Sequence, residues 1–292
     1  MRKRMSVGDP KTISRRVFIQ AGLAAGSAAC AGGTLLTAAQ DTGQQRLREI
    51  GIIGGVPKDM NGEWETSLRR MAEIGYTVLE GGLRGESPEQ YLKFLKELKL
   101  RLVSCGVKFG KRLAPNWLDT AEALRVEYAT TFWPWFYSPD KLTLAQLREI
   151  ADQLNRAGEQ CKAAGLTLAV HNHYQEFREL GGKPIFDHLL NMTESDLVAI
   201  ELDLCWAVKG GADPVEYFRR YPGWIQMLHV KDLGPPPEYA MVPVGRGTID
   251  FGRIFAAATE AGVKHYIVEL EGEASTVQAA ETSYRYLSRL RF

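Results

Sequence analysis

The sequence predicts a (β/α)8 TIM barrel of the α/β class, and three observations carry that prediction. From about residue 47, apolar runs of strand length alternate with amphipathic stretches of helix length, eight of each. The 292-residue chain less its first 39 leaves 253 residues, and such a barrel takes roughly 250. The rival doubly wound sheet normally carries a glycine-rich phosphate turn after its first strand, and Gly54-Gly55-Val56-Pro57 does not fit G-x-G-x-x-G.

Each element has its own signal. A first strand is expected over Arg48–Gly54, then a helix over Trp64–Ile74, where Trp64, Leu68, Met71 and Ala72 share a face and Gly75 ends the run. Tyr76–Glu80 is the second strand. Ser87 and Pro88 open the next helix, Pro88–Leu98, which carries Tyr91, Leu92, Leu95 and Leu98 on one side. Arg101–Val107 is the third strand, followed by a short helix around Asn116–Leu124 capped by Asn116 or Asp119. Val126–Trp133 is the fourth strand and runs into an aromatic loop containing Phe132, Trp133 and Trp135. A long helix spans Leu144–Ala164 and stops at Gly165. The fifth strand lies in Thr167–Phe177, with a helix over Ile185–Met192. Val198–Asp203 and Ile225–Val230 are the sixth and seventh strands, with a helix over Pro214–Tyr221 between them. Ile249–Ala261 is helical, His265–Leu270 is the eighth strand, and Thr276–Leu290 closes the chain. The stiff run Gly234-Pro235-Pro236-Pro237 falls inside the loop after the seventh strand, so it reads as a rim loop and not as a domain boundary.

The formal net charge is +1, with Arg2, Lys3, Arg4, Lys11, Arg15 and Arg16 against Asp9 in residues 1–39. That segment carries +5 and leaves −4 for residues 40–292, so the body lacks the basic footprint of a nucleic-acid binder. The cysteines at 30, 105, 161 and 205 have no C-x-x-C spacing; Cys30 lies in the leader, and the other three read as small buried residues.

Ser14-Arg15-Arg16-Val17-Phe18-Ile19 precedes a weakly apolar stretch, Val17–Leu36, interrupted by Gly22, Gly26, Gly32 and Gly33. The segment resembles a twin-arginine export signal. The glycines make it a poor membrane anchor, and Thr37 and Ala39 offer a cleavage site before Gln40. Residues 1–39 are therefore set aside as a signal peptide, with residues 40–292 as the barrel. The resemblance implies the twin-arginine export machinery as a partner and a periplasmic or secreted destination.

Four strand ends deliver groups suited to metal binding: Glu176 with His171 and His173 after the fifth strand, Asp203 after the sixth, His229 at the seventh and Glu269 at the eighth. In a barrel these ends share one face, so the four can meet. Three carboxylates and one imidazole favour Mn²⁺, with Mg²⁺, Co²⁺ or Zn²⁺ as alternatives. Each group also has a bland reading, as a cap, a rim carboxylate or a satisfied core histidine.

The motifs His171-Asn172-His173-Tyr174-Gln175-Glu176-Phe177, Leu202-Asp203-Leu204-Cys205-Trp206, His229-Val230-Lys231-Asp232, Val244-Gly245-Arg246-Gly247 and Ile267-Val268-Glu269 resemble the sugar phosphate isomerase/epimerase family of xylose-isomerase-like barrels. The resemblance covers roughly residues 47–290. It implies one divalent metal held by Glu176, Asp203, His229 and Glu269, with His171 or His173 as alternatives at the fifth strand, where Ala169 stands in place of the glutamate usual in the family. A metal that chelates a carbonyl oxygen and a neighbouring hydroxyl acidifies the C–H between them, and with no phosphate cradle evident and export expected, the substrate reads as a non-phosphorylated sugar or keto-sugar. Glu176, Glu269 and His173 are the candidate proton carriers. His171, Trp206, Lys231 and Trp133 are candidate substrate contacts, with Lys231 alternatively paired to Asp232. An isomerase or epimerase is the leading expectation; Trp206 replaces a substrate-contacting histidine of ketose epimerases, and elimination by a lyase or dehydratase across a keto-sugar or 3-keto-glycoside is the runner-up. A non-catalytic sugar-binding barrel is the reading from another class, and the sequence is compatible with an oligomer.

Overall fold

Strands buried on both faces must be apolar along most of their length, and Val198–Asp203 shows the consequence, since every one of its residues is buried. A computed structural model describes residues 45–292 apart from positions 56, 111, 133–136 and 138–140. The expected signal peptide and the candidate Trp133 lie outside the described residues.

The barrel strands are β1 (Gly51–Ile53), β2 (Val78–Glu80), β3 (Arg101–Gly106), β4 (Tyr128–Phe132), β5 (Thr167–His171), β6 (Val198–Asp203), β7 (Ile225–Val230) and β8 (His265–Val268). All pair in parallel and close in the order β1-β8-β7-β6-β5-β4-β3-β2. Outside them lie α1 (Trp64–Ile74), α2 (Pro88–Glu97), α3 (Asp119–Leu124), α4 (Leu144–Ala163), α5 (Ile185–Met192), α6 (Leu204–Lys209), α7 (Pro214–Arg220), α8 (Phe251–Glu260) and α9 (Val277–Leu287). The expected (β/α)8 fold is the observed one.

Local chemistry sets the helix ends. Ser87 with Gln90 and Thr143 with Gln146 form reciprocal capping boxes at the starts of α2 and α4. Gly165 follows α4 with φ +76°, a conformation that costs glycine little. The start of α3 differs from expectation: neither Asn116 nor Asp119 caps it, and Leu118 stands at the cap without a side-chain bond. Burial of Trp117 and Leu118 fixes that entry. Helix α6 was not expected, because six residues are too short for a periodic signal.

Two apolar layers result. The larger lies between strands and helices and includes Cys105, Cys161 and Cys205, all buried free thiols as expected. The smaller fills the barrel bore and contains Val78, Val103, Ala169, Ala199, Met227 and Ile267. That bore layer is the floor of the candidate site.

Candidate metal centre

Side chains two residues apart on a strand point to the same face. Two positions beyond the bore residues Val78, Ala169, Ala199, Met227 and Ile267 stand Glu80, His171, Glu201, His229 and Glu269. The bore therefore changes from apolar to ionisable within a single layer at the carboxyl ends of the strands. The register aligns the groups across neighbouring strands, with His171 opposite Glu201 and Asp203 opposite His229.

His171, Asp203, His229 and Glu269 each offer one donor atom, and the four atoms lie within 4.8 Å of one another. His229 Nδ1 is 2.9 Å from Glu269 Oε2 and 4.0 Å from Asp203 Oδ2, while His171 Nε2 is 3.8 Å from the same Asp203 oxygen. A second set, Glu80, Glu201 and His229, meets the same 4.8 Å limit on the other side of the His229 ring. Lys231 Nζ bridges the mouth at 3.0 Å from Asp203, 2.6 Å from Glu269 and 3.0 Å from Glu271.

Secondary structure holds these groups in place. Asp203 ends β6 and caps α6, accepting a 2.8 Å bond from the Trp206 amide. Asn172 ties the end of β5 to that of β6: its side-chain oxygen accepts from the Asp203 amide at 2.9 Å. Trp206 forms a wall, with the Lys231 ammonium 5.3 Å from its ring centre. Across the mouth, Phe132 is 62% exposed and stacks 5.6 Å from His173.

Burial drives the electrostatics. It pushes the Asp203 carboxyl up to about 6, against the opposing pull of Lys231. Burial would also raise Glu269, but His229 and Lys231 outweigh it and bring that carboxyl down to about 2. The His171 ring is held well below the usual imidazole value, first by burial and then by the neighbouring His229 and Lys231. Burial similarly lowers His173, which stays neutral near pH 7.

The site residues expected from sequence divide. Asp203, His229 and Glu269 converge, whereas Glu176 joins neither group of donors, and the donor that β5 contributes is His171. The reason lies in the chain geometry: His171 is two residues beyond the bore residue Ala169, while Glu176 falls in the one-turn 3-10 helix Gln175–Phe177. There its Oε2 accepts from the His173 amide at 2.9 Å, so it braces the loop. Lys231 does not pair with Asp232, which turns away to accept from the Gly245 and Gly247 amides at 2.9 and 2.8 Å. Glu80 and Glu201 escaped the sequence reading. Their signal was the two-residue spacing, since Glu201 shares its strand face with Asp203.

The donor set fits a divalent cation. Asp203 Oδ2, His229 Nδ1 and Glu269 Oε2, buried and without an aligned hydrogen bond, converge on one point, where the contacts are the ion pairs of Lys231 with both carboxylates and of His229 with Glu269. Buried polar atoms are rarely left so, and a cation would satisfy all three. With two imidazoles and two carboxylates the set is less oxygen-rich than expected, and it suits Zn²⁺ or Co²⁺ as well as Mn²⁺.

A closed parallel barrel with titratable groups gathered at the carboxyl ends of its strands has the architecture of a (β/α)8 enzyme. A family model described as the xylose isomerase-like TIM barrel matches residues 68–290, and the chain belongs to that family. It is similar to the inosose dehydratase of Geobacillus kaustophilus, 27% identical over 262 residues, covering 76% of this chain and 84% of that protein. An inosose dehydratase of Lacticaseibacillus casei is 28% identical over 152 residues, which span 46% of this chain and 50% of that protein. A crystal structure of a sugar phosphate isomerase/epimerase from Parabacteroides distasonis superposes with a TM-score of 0.70 at 28% identity, covering 82% of this chain and 93% of that one.

Proposed function

We propose that this chain is a divalent-metal-dependent dehydratase acting on a polyhydroxylated ketone, a keto-sugar or a cyclic keto-polyol. The carrying observation is the make-up of the centre, where the donor that β5 offers beside Asp203, His229 and Glu269 is the imidazole of His171 and not a further carboxylate. Two-face proton exchange at one carbon uses a base on each side, whereas elimination uses one base and a proton for the leaving group. Likeness to a dehydratase over 76% of the chain supports the same reading.

His171, Asp203, His229 and Glu269 would hold a divalent cation, which would supply Lewis-acid polarisation of the substrate carbonyl and so acidify the adjacent C–H. Glu269, ionised at neutral pH, takes that proton. The Lys231 ammonium, 2.6 Å from Glu269, stabilises the negative charge that develops on the carbonyl oxygen. The C–O bond to the β-hydroxyl breaks with the electron pair leaving on oxygen. The proton taken by Glu269 passes through His173 to that oxygen, water departs, and the protein ends in its starting protonation state. Trp206 and Phe132 present apolar faces to the C–H side of the ring.

A second reading, isomerase or epimerase, is favoured by the 28% identity and 0.70 TM-score to the Parabacteroides protein. Mass spectrometry of cation-loaded protein with a panel of ketoses and keto-inositols in D₂O separates the two. Loss of water supports the dehydratase, whereas a solvent-labelled product with no water lost supports the isomerase. Undiminished turnover by Asp203→Ala sinks both.

A further inference from the structure

Glu201 is the least explained residue of the barrel. It is 0% exposed and sits inside β6, and its carboxylate oxygens lack an aligned hydrogen bond, with an ion-pair contact to His229 in its place. A fully buried carboxylate compensated only by neutralisable imidazoles is costly, so its persistence calls for a role. Its ionisable neighbours are the two imidazoles and Glu80. Its Oε2 lies 3.2 Å from His229 Nε2 and 3.6 Å from His171 Nδ1, the second just outside hydrogen-bond reach. Glu80 Oε1 adds a 3.3 Å bond to the same His229 nitrogen.

Those two nitrogens are the rear atoms of their rings. The other nitrogen of each faces the cation site: His171 Nε2 toward Asp203 at 3.8 Å, and His229 Nδ1 toward Glu269 at 2.9 Å. A neutral imidazole has one N–H and one lone pair, and an acceptor behind the ring claims the N–H and leaves the lone pair in front. The two rings are oriented in opposite senses, one presenting Nε2 and the other Nδ1, yet a single oxygen lies behind both. We infer that Glu201, supported by Glu80, is a positioning residue that fixes complementary tautomers of His171 and His229 and aims both lone pairs at the cation site.

The inference rests on the metal-centre reading. Glu80, Glu201 and His229 also satisfy the geometry of a cation site of their own. A neutral His229 has one lone pair, however, so such a site would compete with the one at the mouth.

The test uses full-length protein stripped with chelator and titrated with Mn²⁺ and Zn²⁺ by calorimetry, alongside Glu201→Gln and Glu80→Gln. The expected result is one ion per parent chain, an affinity loss of about 10- to 100-fold in Glu201→Gln, and a smaller loss in Glu80→Gln. Far-ultraviolet circular dichroism of cation-free Glu201→Gln checks that the variant folds, so that a change in affinity reads on the cation site. Nitrogen-15 spectra of the zinc-loaded parent place the N–H of His171 on Nδ1 and that of His229 on Nε2. Parent-like affinity in Glu201→Gln, the opposite tautomers, or a second ion lost with Glu201 overturns the inference while leaving the metal centre intact. A parent chain that binds no ion overturns the metal reading itself, and this inference with it.

Discussion

Glu176 shows how one carboxylate can sit beside a reactive centre and serve the fold. Burial pushes its carboxyl up to about 7, above an ordinary glutamate, although the His173 amide bond opposes the shift. A raised acid pKa makes the folded state hold its proton where the unfolded chain has lost it. Stability is therefore unpenalised below about pH 4.5 and falls as pH rises toward 7, by about 3 kcal/mol in all. Glu176→Gln keeps an acceptor for the His173 amide and removes the titration. Thermal melts are expected to show little difference from the parent at pH 5 and a higher melting temperature for the variant at pH 8. Equal melting at both values would remove the burial argument. Sequence made Asp203, His229 and Glu269 legible because each closes an apolar run. It pointed to Glu176 through the family pattern, with His171 or His173 as alternatives, and the strand's two-residue period is the signal that brings His171 to the other donors. Glu80 and Glu201 lie within strand runs, where neighbouring apolar residues masked them.

At the scale of elements, the loop after β7 depends on one side chain. Asp232 accepts from the amides of Leu233, Gly245 and Gly247 at 2.8 to 2.9 Å and from Ile249 at 3.3 Å. A Cβ at Gly247 would come within 2.3 Å of the Asp232 carboxylate, and Gly245 has φ +84°, so both glycines are required by this cradle. The Val244-Gly245-Arg246-Gly247 motif is thus explained as backbone geometry around Asp232. Asp232→Ala leaves those amides to water or to nothing and should cost about 2–4 kcal/mol. Asp232→Asn, which still accepts, should lose less. The midpoint of urea unfolding reads both, and an unmoved midpoint in Asp232→Ala would contradict the cradle. Strand and long-helix positions were legible because hydrophobic period and caps agree there. The two-residue hairpins, Glu179–Leu180 with Lys183–Pro184 and Asp232–Leu233 with Met241–Val242, were not. Segments that short carry no period, and tertiary contacts place them.

For the whole molecule, the candidate cation centre draws on parts of the chain that only the closed barrel brings near. Its donors come from β5, from β6, from β7 and from the residue after β8, spread over positions 171 to 269. The unfolded chain cannot gather them, so a bound cation favours the native state alone and acts on global unfolding. Linkage then gives about 2.7 kcal/mol of stabilisation at a free cation concentration 100 times the Kd. For a barrel of this size each kcal/mol moves the melting temperature by about 2–4 °C, so saturation should raise it by about 5–10 °C over chelator-treated protein. The gain should grow with the logarithm of cation concentration, since it follows mass action. It should also vanish in Asp203→Ala, which removes the oxygen that faces His171, His229 and Lys231. Differential scanning calorimetry across a Zn²⁺ or Mn²⁺ series provides the measurement. A flat series for the parent, or an equal gain in Asp203→Ala, would place the cation elsewhere and separate the barrel's stability from its candidate chemistry.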